Sequence, residues 1–330
     1  MKIRSISFWV NLTAALCAIA TLLSFASSRW WILAMLEHPR PQYALVLVIA
    51  ILVSLLVPKR RKAKRWSLIW LVPLTINLCL IYPVFIGSSH NSRETGTNSL
   101  KIVHATLDRT NPEQIAQAIE YLENQQVDLI SLIEVTPEYL TQLQFGLKNY
   151  RVIVAEPKKN THGSVWLASV KLSPQIEFRD SEIIHLPAKN DRPLLKITMS
   201  LGGKEIILVS FQAIRPRDRH TVAYQKVELA ALANWSRKIL ESPNQELVAI
   251  GDYNSTPWYG YFRKMLSDSG LVNSQSGFGL QPTWHASLPF MLQVPINHCL
   301  HSSGLHTIRR WVGKDIGSDH LPLFVELRLN

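Results

Sequence analysis

The stretch LVAIGDYN, residues 247–254, decides the fold of the larger part of this chain. Its first four residues are apolar, which predicts a buried strand. The strand ends at Gly251, and a carboxylate (Asp252) and an amide (Asn254) follow two residues apart. Such a pair at the end of a strand can share one phosphate-sized site. A simple Asx-type turn is the alternative interpretation.

A second short stretch, GSDH at residues 317–320, directly precedes another apolar run. An Asp-His step at the start of a strand presents the Asp319 carboxylate beside the titratable imidazole of His320. A strand-start turn with a surface histidine is the alternative. Taken with Asp252 and Asn254, this step suits metal-assisted hydrolysis of a phosphate ester.

Strand and helix patterns continue outward from these two motifs. Apolar runs predict strands at 100–105, 127–135, 150–155, 164–169, 194–200, 205–211, 247–250, 296–301, 307–312 and 321–329. Helices are predicted from Asn111-Pro112, from Pro137, over 221–240 and after Pro257. This mixture of hairpins and βα units predicts an α/β protein with two packed sheets covered by helices.

Further carboxylates are predicted at strand ends. Asp108 lies just after the first strand and Glu134 at the end of the second. Strand ends that converge on one rim form a site, and oxygen ligands with one imidazole suit Mg²⁺ or Mn²⁺ rather than zinc. Alone, Glu134 also fits an ordinary strand-end carboxylate, and Asp108 also fits a helix-start loop.

The first 90 residues differ in kind from the rest. They contain three apolar stretches, 8–26, 41–57 and 66–86, of 19, 17 and 21 residues. A bilayer core needs roughly 20 apolar residues as helix, so residues 1–90 are predicted to form a membrane anchor with about three transmembrane helices. The first stretch alone resembles a signal peptide, but two more follow it. A buried helical hairpin of a soluble protein is the alternative.

The charges predict how these spans are oriented. Residues 1–90 contain 10 of the 35 basic and one of the 24 acidic residues, which leaves 25 basic and 23 acidic residues for 91–330. The net charge of +11 therefore belongs mostly to the anchor and does not indicate a duplex-binding surface. Six basic residues between 59 and 65 predict a cytoplasmic N-terminus and an extracytoplasmic catalytic domain.

A polar linker is predicted at 91–99, and one large domain at 100–330. Cys17 and Cys79 lie in apolar stretches and Cys299 is alone in the large domain, so no disulfide is predicted there. Arg215 lies in a basic run and fits either a phosphate clamp or a solvated loop. Trp284 fits either the rim of the site or a packed side chain.

Both motifs, together with Glu134 in LIEV (132–135), resemble the endonuclease/exonuclease/phosphatase family. The resemblance runs from residue 100 to the C-terminus and is greatest to a membrane-anchored bacterial branch. It implies a four-layer α/β sandwich that hydrolyses phosphodiesters or phosphomonoesters with a divalent metal ion. It also implies a location in the bacterial inner (cytoplasmic) membrane.

Roles follow from this resemblance, residue by residue. Glu134, Asp108 and Asp319 are expected to bind Mg²⁺, with Mn²⁺ as the other candidate ion. Asp252 is expected to orient the attacking water and Asn254 to hold the phosphate. His320 is expected to act in acid–base chemistry or transition-state stabilisation.

The chain departs from the family pattern at four positions. Thr106, Ile133, Gln212 and Asn297 replace an asparagine, a glutamine, a histidine (or tyrosine) and an aspartate. Gln212 can donate a hydrogen bond to a phosphate but cannot carry a proton. Asn297 can accept a hydrogen bond but cannot compensate the charge of an imidazolium. Asn297, Gln212, Arg215 and Asn254 are the candidate substrate-binding residues.

Two functions therefore stay open. The first is a membrane-anchored phosphohydrolase acting on a lipid headgroup, a small phosphoester or nucleic acid. The second is a catalytically impaired family member that binds a phosphorylated ligand or a partner at the membrane. A structural membrane protein with coincidental motifs is a third interpretation. No protein partner is predictable, and the bilayer and the phosphoester are the only partners expected.

Overall fold

The structure is a computed structural model that describes residues 2–56, 61–87, 99–111 and 113–329. Residues 91–98 of the predicted linker, residues 57–60 of the basic segment and Pro112 lie outside this description.

Twelve strands in the described part of the chain form two six-stranded sheets. Sheet A has the order β11-β12-β1-β2-β4-β3, and sheet B has the order β5-β6-β7-β8-β10-β9. The strands of sheet A are β1 (Ser99–Thr106), β2 (Leu129–Ile133), β3 (Tyr150–Glu156), β4 (Ser164–Ser169), β11 (Leu305–Val312) and β12 (Leu323–Leu329). Those of sheet B are β5 (Ile176–His185), β6 (Pro193–Leu201), β7 (Lys204–Gln212), β8 (Gln245–Asp252), β9 (Val272–Asn273) and β10 (Asn297–His301).

The two sheets pack face to face and helices cover both outer faces. Side chains from both sheets, such as Trp166, Ile250 and Val325, form the buried core between them. Helices α5 (Gln114–Glu123) and α6 (Pro137–Gly146) pack on sheet A, and α7 (Arg219–Ile239) and α8 (Gly260–Ser269) pack on sheet B. The predicted four-layer α/β sandwich is therefore confirmed.

Strand direction determines where the site lies. In sheet A, β1 and β2 are parallel and β12 is antiparallel to β1. In sheet B, β7 and β8 are parallel and β10 is antiparallel to β8. The carboxyl ends of β1, β2, β7 and β8 therefore meet the amino ends of β10 and β12 at one edge of the sandwich.

Strand β5 was not predicted. It lies at the edge of sheet B, pairs only with β6 among the described strands, and leaves most of its charged middle exposed. An edge strand with one hydrated side lacks the apolar run that indicates a buried strand. The short strand β9 was missed as well.

The N-terminal helices α1 (Lys2–Leu23), α2 (Trp31–Met35), α3 (Arg40–Leu56) and α4 (Arg61–Ile81) form a bundle. One helical segment, Ser7–Ala26, is long and apolar enough to cross a membrane, whereas Arg40–Leu56 and Leu68–Val84 are shorter. At one end of the bundle the buried Arg40 guanidinium donates to Ser24 Oγ (2.9 Å) and Asn77 Oδ1 (3.2 Å). This polar network joins the ends of α1, α3 and α4.

The bundle packs directly against sheet B's helices. Ala34 of α2 is buried in the same core as side chains of α7 and α8. The Glu37 carboxylate accepts a hydrogen bond from the Gly260 N–H at the start of α8 (2.8 Å), and the Trp258 indole donates to the His38 carbonyl (2.9 Å). The N-terminal helices are thus continuous with the outer layer of the sandwich.

Candidate active site

One cleft at the common strand edge gathers most of the predicted site residues. Its volume is about 780 Å³. Eight of the nine predicted residues line it: Asp108, Glu134, Gln212, Arg215, Asp252, Asn254, Asp319 and His320. The ninth, Asn297, is buried directly behind His320. The convergence expected from strand ends is therefore present in the structure.

The turn after β8 holds Asp252 and Asn254. A side chain at Gly251 would place its Cβ 1.8 Å from the Phe211 carbonyl oxygen, so only glycine allows β7 and β8 to approach here. Asn254 has a left-handed backbone (φ 47°), which asparagine tolerates better than most residues. This backbone lets the Asp252 carboxylate accept hydrogen bonds from the Asn254 backbone N–H (2.8 Å) and side-chain amide (3.0 Å).

Both amide hydrogens of the Asn254 side chain bond to protein atoms rather than pointing into the cleft. Its amide donates to Asp252 Oδ2 and to the Ala213 carbonyl (2.9 Å), so both N–H groups are used in this conformation. The buried Gln225 amide of α7 holds the same turn from below, donating to the Asn254 carbonyl (3.0 Å). What Asn254 presents to the cleft is therefore an acceptor oxygen.

Glu134 follows β2 with a left-handed backbone (φ 63°), uncommon for a non-glycine residue. The loop is held by the Val135 N–H, which donates to the Gly163 carbonyl (3.1 Å), and a side chain at Gly163 would lie 1.9 Å from the Val135 oxygen. Burial, followed by the nearby Asp252, Asp319 and Asp108 carboxylates, raises the pKa of Glu134 to about 8. Burial also raises the pKa of Asp252.

His320 is oriented by a neutral partner. Its Nδ1 lies 3.0 Å from Asn297 Oδ1, an acceptor, so Nδ1 carries the hydrogen and Nε2 faces the cleft. Nε2 lies 3.9 Å from Asp252 Oδ2 and 3.8 Å from Asp319 Oδ1. The Asn297 amide in turn points to Thr106 Oγ1 at 3.5 Å. Two of the four departures from the family pattern therefore contact each other behind the imidazole.

Asp319 and Arg215 lie on the wall of the cleft built by Trp284. The Trp284 indole donates to Asp319 Oδ2 (3.0 Å), and the Arg215 guanidinium carbon lies 4.6 Å from the Trp284 ring centroid. Trp284 lines the cleft, so it lies at the rim of the site, which was one of its two predicted positions. Arg215 faces the cleft rather than standing alone in a solvated loop.

Gln212 and Asp108 complete the floor and the opposite rim. Gln212 pairs with Asp252 in the β7–β8 register, and its amide lies 3.5 Å from Glu134 Oε1. Asp108 Oδ1 accepts from the Thr110 N–H (2.8 Å), which is the helix-start turn weighed as its alternative. Asp108 thus both caps its own loop and lines the cleft.

The donor set fits a hard divalent cation in its chemistry. Among the described residues, no group of three or more His, Cys, Asp or Glu side chains is arranged to hold a metal ion. Burial and the three nearby carboxylates nevertheless raise the pKa of Glu134, and its Oε1 lies 3.5 Å from the Gln212 amide. A cation there would relieve this repulsion, and oxygen ligands are those that Mg²⁺ prefers.

Two supporting residues were not predicted. Gln225 and Glu228 are fully buried on α7, and Glu228 accepts from the Ile214 N–H (2.7 Å), which fixes the loop that carries Arg215. A signal was present, because both residues lie in the helix register of the apolar positions Val222 and Leu229. Polar side chains on a buried stripe usually have a specific hydrogen-bonding role.

The family model described as Endonuclease/Exonuclease/phosphatase family matches residues 90–320. This chain belongs to the endonuclease/exonuclease/phosphatase family. Family members are typically hydrolases that act on phosphoesters, and they generally use divalent metal ions. Among curated proteins, no sequence matches the chain significantly.

Several solved structures share this fold at low sequence identity. TDP2 from C. elegans has a TM-score of 0.57 at 14% identity, covering 88% of this chain and 93% of that one. D. rerio TDP2 in complex with a single-strand DNA product has a TM-score of 0.55 at 16% identity, covering 70% and 99%. The Bacteroides vulgatus family protein has a TM-score of 0.55 at 15% identity, covering 70% and 99%.

Proposed function

We propose that this chain is a membrane-anchored, metal-dependent phosphohydrolase that cleaves a phosphodiester or phosphomonoester by attack of water. The observation that carries the proposal is the convergence of Glu134, Asp252 and the adjacent pair Asp319 and His320 on one cleft from three separate chain segments. The candidate substrates are a lipid headgroup, a small phosphoester and nucleic acid. The DNA product seen with D. rerio TDP2 supports the last of these only by analogy of fold.

The proposed metal ion is Mg²⁺ or Mn²⁺, held by Glu134 with Asp108 or Asp319. When bound, it supplies charge neutralisation on the phosphoryl oxygens and a lowered pKa of water. The chain's own residues orient the attacking water and exchange protons with the reacting groups. Asp252 is fixed by the two Asn254 hydrogen bonds and is placed to accept a hydrogen bond from water.

In the hydrolysis step, water adds to phosphorus and the P–O bond to the leaving alcohol breaks. The hydroxyl from water stays on the phosphate, and the leaving oxygen gains a proton. His320 Nε2 faces the cleft between Asp252 and Asp319 and is the titratable nitrogen that can exchange that proton. Arg215 is placed to stabilise the phosphate charge.

The membrane part of the proposal is supported by the apolar helix Ser7–Ala26 and by the exposed apolar side chains of α1 and α3. Three spans, a cytoplasmic N-terminus and an extracytoplasmic domain in a bacterial inner membrane follow from the charge pattern and stay predictions. Labelling of single cysteines introduced within residues 27–39 and within residues 57–65, in intact cells, would test this orientation.

The catalytic proposal is tested on the full chain in nanodiscs, because the bundle shares its core with α7 and α8. Phosphate release and diester cleavage are measured with Mg²⁺, with Mn²⁺ and with chelator on lipid esters, soluble phosphoesters and DNA. Metal-dependent turnover should be lost in Glu134→Ala and Asp252→Ala and retained in Glu138→Ala, an exposed glutamate of α6. Unchanged turnover in the first two variants would remove this mechanism.

The second candidate function is a module that binds a phosphorylated ligand without turning it over. The contact between His320 and the neutral Asn297, with Gln212 in place of a proton carrier, favours it. Binding of a phosphate ester that requires metal, without hydrolysis, is the result expected for this function. Metal-dependent turnover that disappears in His320→Ala would rule it out.

A further inference from the structure

A short loop beside the cleft exposes four large apolar side chains. Leu288, Phe290, Met291 and Leu292 are 42%, 58%, 50% and 56% exposed, and we call residues 288–292 the apolar lip. Residues 286–296 contain no charged side chain. The same segment begins in the cleft, where Trp284, His285 and Ser287 line the wall. The apolar lip is therefore a direct extension of the active-site rim.

The loop holds its shape without burying these side chains. The Gln293 amide donates to the Leu288 carbonyl (2.7 Å) and the Ala286 carbonyl (3.2 Å), and residues Phe290–Leu292 form a 3₁₀ turn. Two backbone carbonyls of the loop are thus satisfied within it, while the apolar side chains of the lip stay exposed. In water this arrangement is unfavourable, which points to an apolar surface that covers it.

The position of the apolar lip identifies that surface. The Gln42 amide in the first turn of α3 donates to the Met291 carbonyl (3.0 Å) and the Gln293 carbonyl (3.2 Å). Gln42 lies two residues from Arg40, whose network with Ser24 and Asn77 closes that end of the bundle. The apolar lip therefore lies level with the end of the proposed spans.

Apolar exposure continues from the apolar lip along the bundle. On α1 and α3, outward side chains include Leu16, Ile19, Leu22, Val48 and Leu52, all more than a third exposed. One bilayer would cover both surfaces at once, with the apolar lip at the headgroup and acyl boundary. Phe145 on α6 is also 79% exposed, but α6 covers sheet A, whereas the bundle packs against the helices that cover sheet B.

We propose that the apolar lip inserts into the adjacent leaflet and that the cleft takes its phosphoester from a membrane lipid. The inference rests on the proposed function for the anchor and for hydrolysis. The wall that joins the apolar lip to the cleft carries Arg215 stacked on Trp284, so a cation faces the path of an anionic headgroup. A headgroup phosphate at the bilayer surface reaches Asp252 and His320 without leaving its leaflet.

Insertion is tested without reference to catalysis. Cys79 is exposed, whereas Cys17 and Cys299 are buried, so Cys79 is first replaced by serine. In this background an environment-sensitive dye is attached to a cysteine introduced by Phe290→Cys or by Phe145→Cys. In nanodiscs, we expect a blue-shifted emission that is quenched by spin-labelled lipid at 290 and neither effect at 145. Water-like emission at 290 would overturn the proposal.

Substrate origin is tested by comparing two probes. Turnover is measured on phosphatidylglycerol in phosphatidylcholine vesicles and on a soluble short-chain analogue of the same ester. Phe290→Ser with Met291→Ser should lower kcat/KM on vesicles at least tenfold and leave soluble turnover within twofold. Phe145→Ser, matched in residue type, should change neither.

Equal loss on both probes would assign the loop a purely structural role, and unchanged vesicle turnover would remove the lipid route; either result overturns the proposal. If the unmodified chain hydrolyses neither probe, the proposed function has failed on these esters. The insertion experiment then still decides whether the apolar lip enters the bilayer.

Discussion

The two sides of the cleft are built differently. On the carboxylate side, Asp252 is buried and Glu134 and Asn254 have left-handed backbones, with φ of 63° and 47°. On the imidazole side, His320 lies three residues before β12, in an isolated bridge with Trp284, and its partner Asn297 is neutral. Left-handed backbones at non-glycine residues cost on the order of 1 kcal/mol or more each and persist only where the surroundings enforce them.

This difference indicates which side of the cleft, the carboxylate side or the imidazole side, the fold supports more strongly. Burying carboxylates and straining their backbones is unfavourable unless a cation or a reacting group uses them. The imidazole keeps its orientation and tautomer through Asn297 but has no negative charge beside Nδ1. We therefore infer that the carboxylate side is complete and that the imidazole side handles protons less well than an Asp–His pair would.

The largest effect is expected from breaking the carboxylate side. Asp252→Asn keeps the size of the side chain but removes the charge that we propose orients water, so turnover should fall about 10³-fold, within the range for a lost acid–base group. Metal-dependent phosphate release from the full chain measures it. Asp180→Asn, on the exposed edge strand β5, is the matched control. A loss below tenfold would show that the carboxylate side is not where catalysis is concentrated.

The next effect sharpens the imidazole side. Asn297→Asp supplies the missing charge, and because the reverse change in a serine-protease triad costs on the order of 10⁴, we expect a gain of about 10- to 100-fold. Asn297→Ala should lose activity, since Nδ1 would lose its acceptor. Turnover of both variants is compared in the presence and absence of His320→Ala, which should abolish the gain. A gain that survives His320→Ala would place the effect elsewhere.

Much of the sandwich was predictable, for identifiable reasons. Strands such as β4 and β8 are buried on both faces, so continuous apolar runs mark them. Strand β5 was not, because its exposed charged middle carries no such signal. The packing of Glu37 and His38 against the start of α8 was also unpredictable. Composition marks an apolar helix, but it does not indicate which neighbour the helix contacts.

The candidate site divides in the same way. Asp252, Asp319 and Glu134 were predictable because motifs at strand ends converge once the strands pair. The sequence did not predict that both Asn254 amide hydrogens bond to the protein, because one of these bonds depends on the position of the Ala213 carbonyl. The location of Asn297 behind His320, rather than in the cleft, depends on β10 pairing with β8. Pairing across distant strands is not encoded in local sequence patterns.

A smaller effect tests the electrostatics of the carboxylate side. The pKa of Glu134 is raised to about 8 in the folded chain against 4.5 as its ordinary value, mainly by burial. Its contribution to stability is therefore present below pH 4.5 and is lost as pH rises through about 8. Ionisation must precede metal binding, so Mg²⁺ affinity should rise up to tenfold per pH unit below that value.

The melting temperature with and without Mg²⁺ at several pH values measures this effect. We expect the Mg²⁺-induced increase to grow from pH 6 to pH 8 in the unmodified chain, the interval just below the Glu134 pKa of about 8. Glu134→Gln should make the melting temperature less dependent on pH both with and without Mg²⁺, whereas Glu138→Gln should leave this dependence unchanged. A Mg²⁺ effect that is independent of pH would mean that the cation binds away from Glu134.

The smallest effect concerns the wall that the two sides share. Trp284→Phe removes the indole donor to Asp319 Oδ2 but keeps an aromatic face under Arg215. The Asp319 side chain is 36% exposed, so water can replace the lost donor. A hydrogen bond of about 0.5–1.5 kcal/mol predicts a two- to tenfold drop in kcat/KM. Trp284→Ala, which also removes the stacking surface, should cost more. A drop above 100-fold in Trp284→Phe would show that Asp319 needs an orientation as strict as that of Asp252.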